Sequence, residues 1–120
     1  LMLIGEGPDK DRLLAEAQKN GVERNILLLG TTSMPEKYYC AMDVFMFPSH
    51  FEGLGIAAVE AQCAGLPVLC AEGCPPKSSA LKIIKFLPIN GGYKPWLTGL
   101  KVKDFLRKKA WNRERQSKRV

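Results

Sequence analysis

Over the first two-thirds of the chain, short runs of consecutive apolar residues alternate with stretches whose apolar residues recur at helical spacing. Leu1 to Ile4 is the first continuous run and ends at Gly5-Glu6-Gly7-Pro8. Lys10 to Asn20 is then predicted helical, with Leu13, Leu14 and Ala17 on one face and Gly21 as its stop. Ile26 to Leu29 forms the next strand, closed by Gly30. Ser33-Met34-Pro35-Glu36 reads as a capping box with an early helical proline, leading into a short helix with Tyr38, Tyr39 and Met42. Val44 to Phe47 is a third strand, followed by a loop from Pro48 to Gly55 and a helix from about Leu54 to Ala64 that Gly65 and Pro67 terminate. Val68 to Cys70 is a fourth strand. Strands that are apolar throughout have no solvent-facing side, so the pattern predicts an α/β fold with a doubly wound parallel sheet covered on both faces. Ligands of such sheets bind at the carboxyl ends of the strands, where the loops Gly5–Pro8, Gly30–Ser33 and Pro48–Gly55 are expected to gather.

After Cys74 the pattern weakens. Cys74-Pro75-Pro76 is a turn or an extended link, and Leu81 to Leu87 is a strand or a short helix, its apolar residues fitting neither period cleanly. Trp96, Leu97, Leu100 and Phe105 point to a final amphipathic helix. The expected organisation is one domain over residues 1–106 and a basic tail over 107–120. Because the chain opens inside an apolar strand, an upstream portion is expected to precede Leu1.

Charge changes the picture only at the end. The net charge of +6 is carried entirely by the tail, where Arg107, Lys108, Lys109, Arg113, Arg115, Lys118 and Arg119 face a single acid, Glu114. Such a tail reads first as a solvated terminus and second as an element that touches an anionic membrane surface; with no aromatic platform or helix-turn-helix pattern, nucleic acid is not the expected partner. No apolar run reaches the length of about 20 residues that a membrane-spanning helix needs. The cysteines Cys40, Cys63, Cys70 and Cys74 form no metal-ligand spacing with the lone His50, so no metal site is expected. Cys40, Cys63 and Cys70 lie among apolar residues and read as small buried side chains in a reducing, cytoplasmic setting.

Candidate chemistry is concentrated between Phe47 and Val68. There a strand, a glycine-bearing loop and a helix start carry Glu52 on one side of the turn and Glu60 on the other. Free amides at Gly53, Leu54 and Gly55, with the helix dipole behind them, suit an anion such as a phosphate. A carboxylate offers only acceptors, so Glu60 is a sound partner for a pair of sugar hydroxyls. Gly5-x-Gly7 lacks a third glycine at Lys10 and is not a dinucleotide fingerprint. As a loop residue His50 is better exposed than a core histidine, although base catalysis is not its expected role, and the Tyr38-Tyr39 pair reads as packing.

These residues resemble the family-four retaining glycosyltransferases of the GT-B class. The resemblance rests on Pro-Ser-x-x-Glu52-Gly-x-Gly, with Glu60 eight positions after Glu52, followed by Ala-Gly-x-Pro-Val. It is supported by Leu3-Ile4-Gly5-Glu6-Gly7-Pro8, by Asn25-Ile26 through Gly30, and by Ala41-Met42-Asp43-Val44. The resemblance implies the Rossmann-like C-terminal half of a GT-B fold. It implies that Glu52 lies beside the hydroxyls of the donor sugar as the catalytic-site residue. Glu60 would hold the ribose, and Gly53, Leu54 and Gly55 would turn their amides to the diphosphate. Gly30 and Thr31 would lie near the base, and Gly7 on the same ligand-facing edge. The implied reaction moves a sugar from a UDP- or GDP-linked donor to an acceptor hydroxyl with retention, without a metal or other cofactor, in polysaccharide or glycoconjugate synthesis. The glycan or lipid-linked acceptor, and the arginine and lysine that clamp the diphosphate, belong in such enzymes to the portion upstream of the first strand seen here. This chain alone is therefore expected to bind donor weakly and to catalyse nothing. Two other readings share the pattern: a nucleotide-sugar epimerase of the same architecture, and a noncatalytic nucleotide-sugar-binding module that works with a partner chain.

Overall fold

The computed structural model describes residues 1–79, 81 and 83–101. The chain divides into two compact units, Leu1–Pro35 and the remainder from Glu36. Phe105 of the expected terminal helix and the basic tail lie outside the described residues.

The first unit pairs two short parallel strands, β1 (Met2–Leu3) and β2 (Leu27–Leu28), in the register Met2 with Leu27 and Leu3 with Leu28. Between them runs α1 (Lys10–Lys19), which ends as its sequence predicts: the Gly21 and Val22 amides donate to the carbonyls of Gln18 and Ala17 at 3.0 Å each. Of the three residues expected on its buried face, only Ala17 is buried. Leu14 is exposed, and Leu13, also exposed, borders a surface cavity instead.

The second unit is built on β3 (Phe45–Phe47), β4 (Val68–Ala71) and β5 (Ile84–Leu87), all parallel, with β4 in the middle. Within the run from Leu81 to Leu87, Ile84–Leu87 is a strand, because β4 offers it an open edge to pair with. Every residue of β4 is buried, and its side chains alternate between two cores. Val68 and Cys70 pack with Tyr39 of α2 (Pro35–Ala41) and with Ala58 and Ala61 of α3 (Ile56–Cys63). Leu69 and Ala71 pack with Leu87 and with Trp96 of α4 (Lys94–Lys101). Helices therefore cover both faces of this sheet, which is the reason a strand of four apolar residues is stable there. Each fully buried aliphatic side chain is worth about 1.5–3 kcal/mol. The approach of α4 is close at Gly99, where an added Cβ would stand 3.1 Å from a Leu69 methyl. Trp96 donates its indole N–H to the Pro88 carbonyl at 3.0 Å.

Three local expectations are corrected. The capping box at Ser33 does not form: α2 begins at Pro35, and the Thr32 hydroxyl accepts the Met34 amide at 3.1 Å, drawing the chain into a turn before the helix. Cys40 and Cys63 are exposed, because each falls on the outward side of its helix; Cys70 and Cys74 are buried. The helix after the Pro48–Gly55 loop starts at Ile56, two residues later than Leu54, because Gly55 takes a left-handed conformation (φ 66°, ψ 48°) that a helix cannot include.

Candidate functional site

Since β3, β4 and β5 are parallel and in register, with Phe47 opposite Cys70 and Cys70 opposite Phe86, the loops leaving β3 and β4 emerge side by side at one edge. The first of these loops carries Ser49, His50, Glu52 and Gly53. The second carries Gly73, which is packed so closely on the first that an added Cβ would collide with the His50 carbonyl oxygen. This contact seats the Pro48–Gly55 loop, and nothing in the local pattern around Gly73 announced it. His50 itself is exposed.

Glu52 is half-buried, and one of its carboxylate oxygens accepts the Ser49 hydroxyl at 2.8 Å. Its side chain is thereby folded back on its own loop while the second oxygen has no bond within the loop. Gly53 and Leu54 lie in the loop before α3 and not in its first turn. Leu54 is already engaged within the protein. Gly55 is buried and is the residue at which the helix opens, its carbonyl accepting the amides of Ala58 at 2.9 Å and Val59 at 3.2 Å. The amides of Gly55, Ile56 and Ala57 come before the first intrahelical bond, so the amide-bearing edge continues from the expected Gly53–Gly55 turn into the start of the helix.

Glu60 stands in the second turn of α3, exposed to solvent. Sequence reasoning placed it there but missed its partner. The Tyr39 hydroxyl donates to Glu60 Oε2 at 3.1 Å and lies 3.4 Å from the Ala57 carbonyl. Tyr39 is 5% exposed, and its ring meets Phe45 edge-on with centroids 5.5 Å apart. Burial first, and then the hydrogen bond and charge of Glu60, push its phenol from the usual value near 10 up to about 12. It therefore remains a hydrogen-bond donor at neutral pH. Beneath the loop, burial followed by the neighbouring Cys74 pushes the Cys70 thiol up to about 12, keeping it uncharged near Glu52.

The first unit presents a separate arrangement. The Gly5 amide donates to the Gly30 carbonyl at 2.8 Å, drawing the loops after β1 and β2 together. They border a cavity of about 300 Å³ lined by Gly5, Glu6, Gly7, Lys10 and Gly30 among others. Glu6 lies over Gly30, with a carboxylate oxygen 3.5 Å from where a Cβ would stand. Thr31 is exposed just beyond. Two of the expected ligand-facing glycines, Gly7 and Gly30, thus share one cavity wall. Among the described residues no group of three His, Cys, Asp or Glu side chains is placed to hold a metal ion. No helix among them is long and apolar enough to cross a membrane.

Parallel strands buried on both faces, with the glycine-bearing loops at their carboxyl edge, define the class: a Rossmann-like α/β domain of the GT-B glycosyltransferase kind. The family of glycosyl transferases group 1 matches residues 1–82, and the chain belongs to that family. The chain is 36% identical over 72 residues, 60% of its length, to an N-acetylgalactosamine-N,N'-diacetylbacillosaminyl-diphospho-undecaprenol 4-alpha-N-acetylgalactosaminyltransferase of Campylobacter jejuni. The crystal structure of TarM aligns over 91% of the chain with a TM-score of 0.76 and 22% identity. HepE from Anabaena, solved in complex with UDP, aligns over 91% of the chain with a TM-score of 0.67 and 18% identity. The chain spans 20% of the Campylobacter relative, 22% of TarM and 34% of HepE.

Proposed function

We propose that this chain is the donor-binding half of a retaining glycosyltransferase, which moves a sugar from a nucleotide-diphosphate donor to an acceptor hydroxyl in polysaccharide or glycoconjugate synthesis. The observation that carries the reading is the pair Glu52 and Glu60, set on either side of Gly55, each with one carboxylate oxygen held by a hydroxyl of the same unit. A held carboxylate with its other oxygen open is an acceptor waiting for a donor pair, which vicinal sugar hydroxyls supply. In this reading Glu60 binds the ribose and Glu52 binds the sugar that is transferred. The sugar–phosphate bond breaks, the acceptor oxygen bonds to the anomeric carbon on the same face, and the nucleoside diphosphate leaves, its freed oxygen taking the proton that the acceptor hydroxyl gives up. The turn at Gly53, Leu54 and Gly55, followed by the open amides of Ile56 and Ala57, offsets the charge that gathers on that leaving group. In the first unit Gly7, Gly30 and Thr31 are assigned to the nucleotide, with Gly30 and Thr31 nearest the base.

Family membership, the fold shared with a UDP-bound relative and the lipid-diphosphate sugar named for the Campylobacter enzyme support this reading. The domain is taken to be residues 1–106 with a basic tail from 107, acting at the cytoplasmic side of a membrane that the tail touches. The test is a titration of the chain with UDP and GDP, following backbone amide shifts, beside Glu60→Ala. Shifts clustering at residues 53–57 and lost in the variant are expected. No response at millimolar nucleotide in a folded chain would overturn donor binding by this chain.

A further inference from the structure

We propose that Tyr39 is a positioning residue for the donor site: its hydroxyl holds Glu60 in one rotamer and leaves Oε1 directed outward as the acceptor for the ribose hydroxyls. The inference rests on the reading of Glu60 given above and adds to it a residue outside the motif.

Glu60 is exposed, and a free glutamate on a helix surface samples many rotamers. Binding a diol requires one of them, so ordering the side chain in advance raises affinity without any new contact to ligand. Tyr39 is suited to that task because its ring is buried and packed on several sides. Its ring is wedged in the core with Ala58, Ala61 and Val68 and set edge-on against Phe45. From that seat it reaches Glu60 Oε2 at 3.1 Å, the shorter of its two contacts, the other being Ala57 O at 3.4 Å. A phenol has one proton to give, and the carboxylate is the stronger acceptor. The ring alone would fill the space, as phenylalanine would; the hydroxyl is what packing does not require.

The experiment compares the wild-type chain, Tyr39→Phe and Glu60→Ala in binding UDP and 2′-deoxy-UDP, together with side-chain scalar couplings of Glu60 in the unliganded chain. The wild type is expected to show a single Glu60 rotamer and to prefer UDP. In Tyr39→Phe the couplings average, and the preference for UDP over 2′-deoxy-UDP falls by roughly three- to tenfold, the effect of one lost charge-assisted hydrogen bond. Binding of 2′-deoxy-UDP should change little. If Tyr39→Phe retains the full preference while Glu60→Ala loses it, Tyr39 is structural only and the inference fails alone. If Glu60→Ala also retains it, the ribose role of Glu60 is wrong. Averaged couplings in the wild type overturn the inference without reference to any variant.

Discussion

The phenol of Tyr39 shows how one side chain couples the core to the surface. With its pKa raised from near 10 to about 12, it stays protonated in the folded chain over a range in which the unfolded chain ionises. The unfolded state then binds fewer protons, so stability falls as pH rises between those two values. The stabilisation is complete below pH 10 and is lost by pH 12. Cys70, raised to about 12 by burial and by Cys74, contributes with the same sign. Urea unfolding of the wild type is expected to weaken from pH 8 to pH 11, and Tyr39→Phe to weaken distinctly less. Equal slopes would mean that Tyr39 ionises normally in the fold. This residue also marks a limit of sequence reading. The Tyr38-Tyr39 pair reads as packing, which is right for the ring of Tyr39, but its bond to a residue 21 positions away depends on how α2 and α3 meet.

Among the elements, the loop from Pro48 to Gly55 depends on two glycines for different reasons. Gly55 needs the left-handed backbone that opens α3, and an L side chain there costs about 1–2 kcal/mol. Gly73 needs no unusual dihedral; it needs empty space, since the His50 carbonyl occupies the position of its Cβ. Gly73→Ala is expected to destabilise by about 1–3 kcal/mol and to move the amide signals of residues 49–52, with little change at β5. A variant that melts like the wild type, with those signals unmoved, would show that the loop is not seated on Gly73. The glycine at 55 was visible in the motif, whereas the one at 73 was not, because a close approach between two loops leaves no periodic trace.

For the whole molecule, each unit carries its own part of the family resemblance: Gly7 and Gly30 in the first, Glu52 and Glu60 in the second. The chain spans 20% of the length of its Campylobacter relative, and the resemblance implies an acceptor site and a diphosphate clamp outside the matching segment. It is therefore expected to release no nucleoside diphosphate from UDP- or GDP-sugars above background, as measured by a coupled UDP or GDP assay. Turnover by the chain alone would mean that its own residues complete the site.

The strand–helix alternation, the parallel α/β class and the candidate carboxylates at Glu52 and Glu60 were all legible in the sequence, because each rests on local periodicity or on a motif of fixed spacing. In the ambiguous stretch from Leu81 to Leu87, residues Ile84–Leu87 became a strand only because the edge of β4 satisfies their backbone. Tertiary structure alone decided that Cys40 and Cys63 face outward, that α3 begins at Ile56, and that Ser49 and Tyr39 hold the two carboxylates. Burial and side-chain hydrogen bonding depend on which surfaces meet, and residues distant along the chain meet only after it has folded.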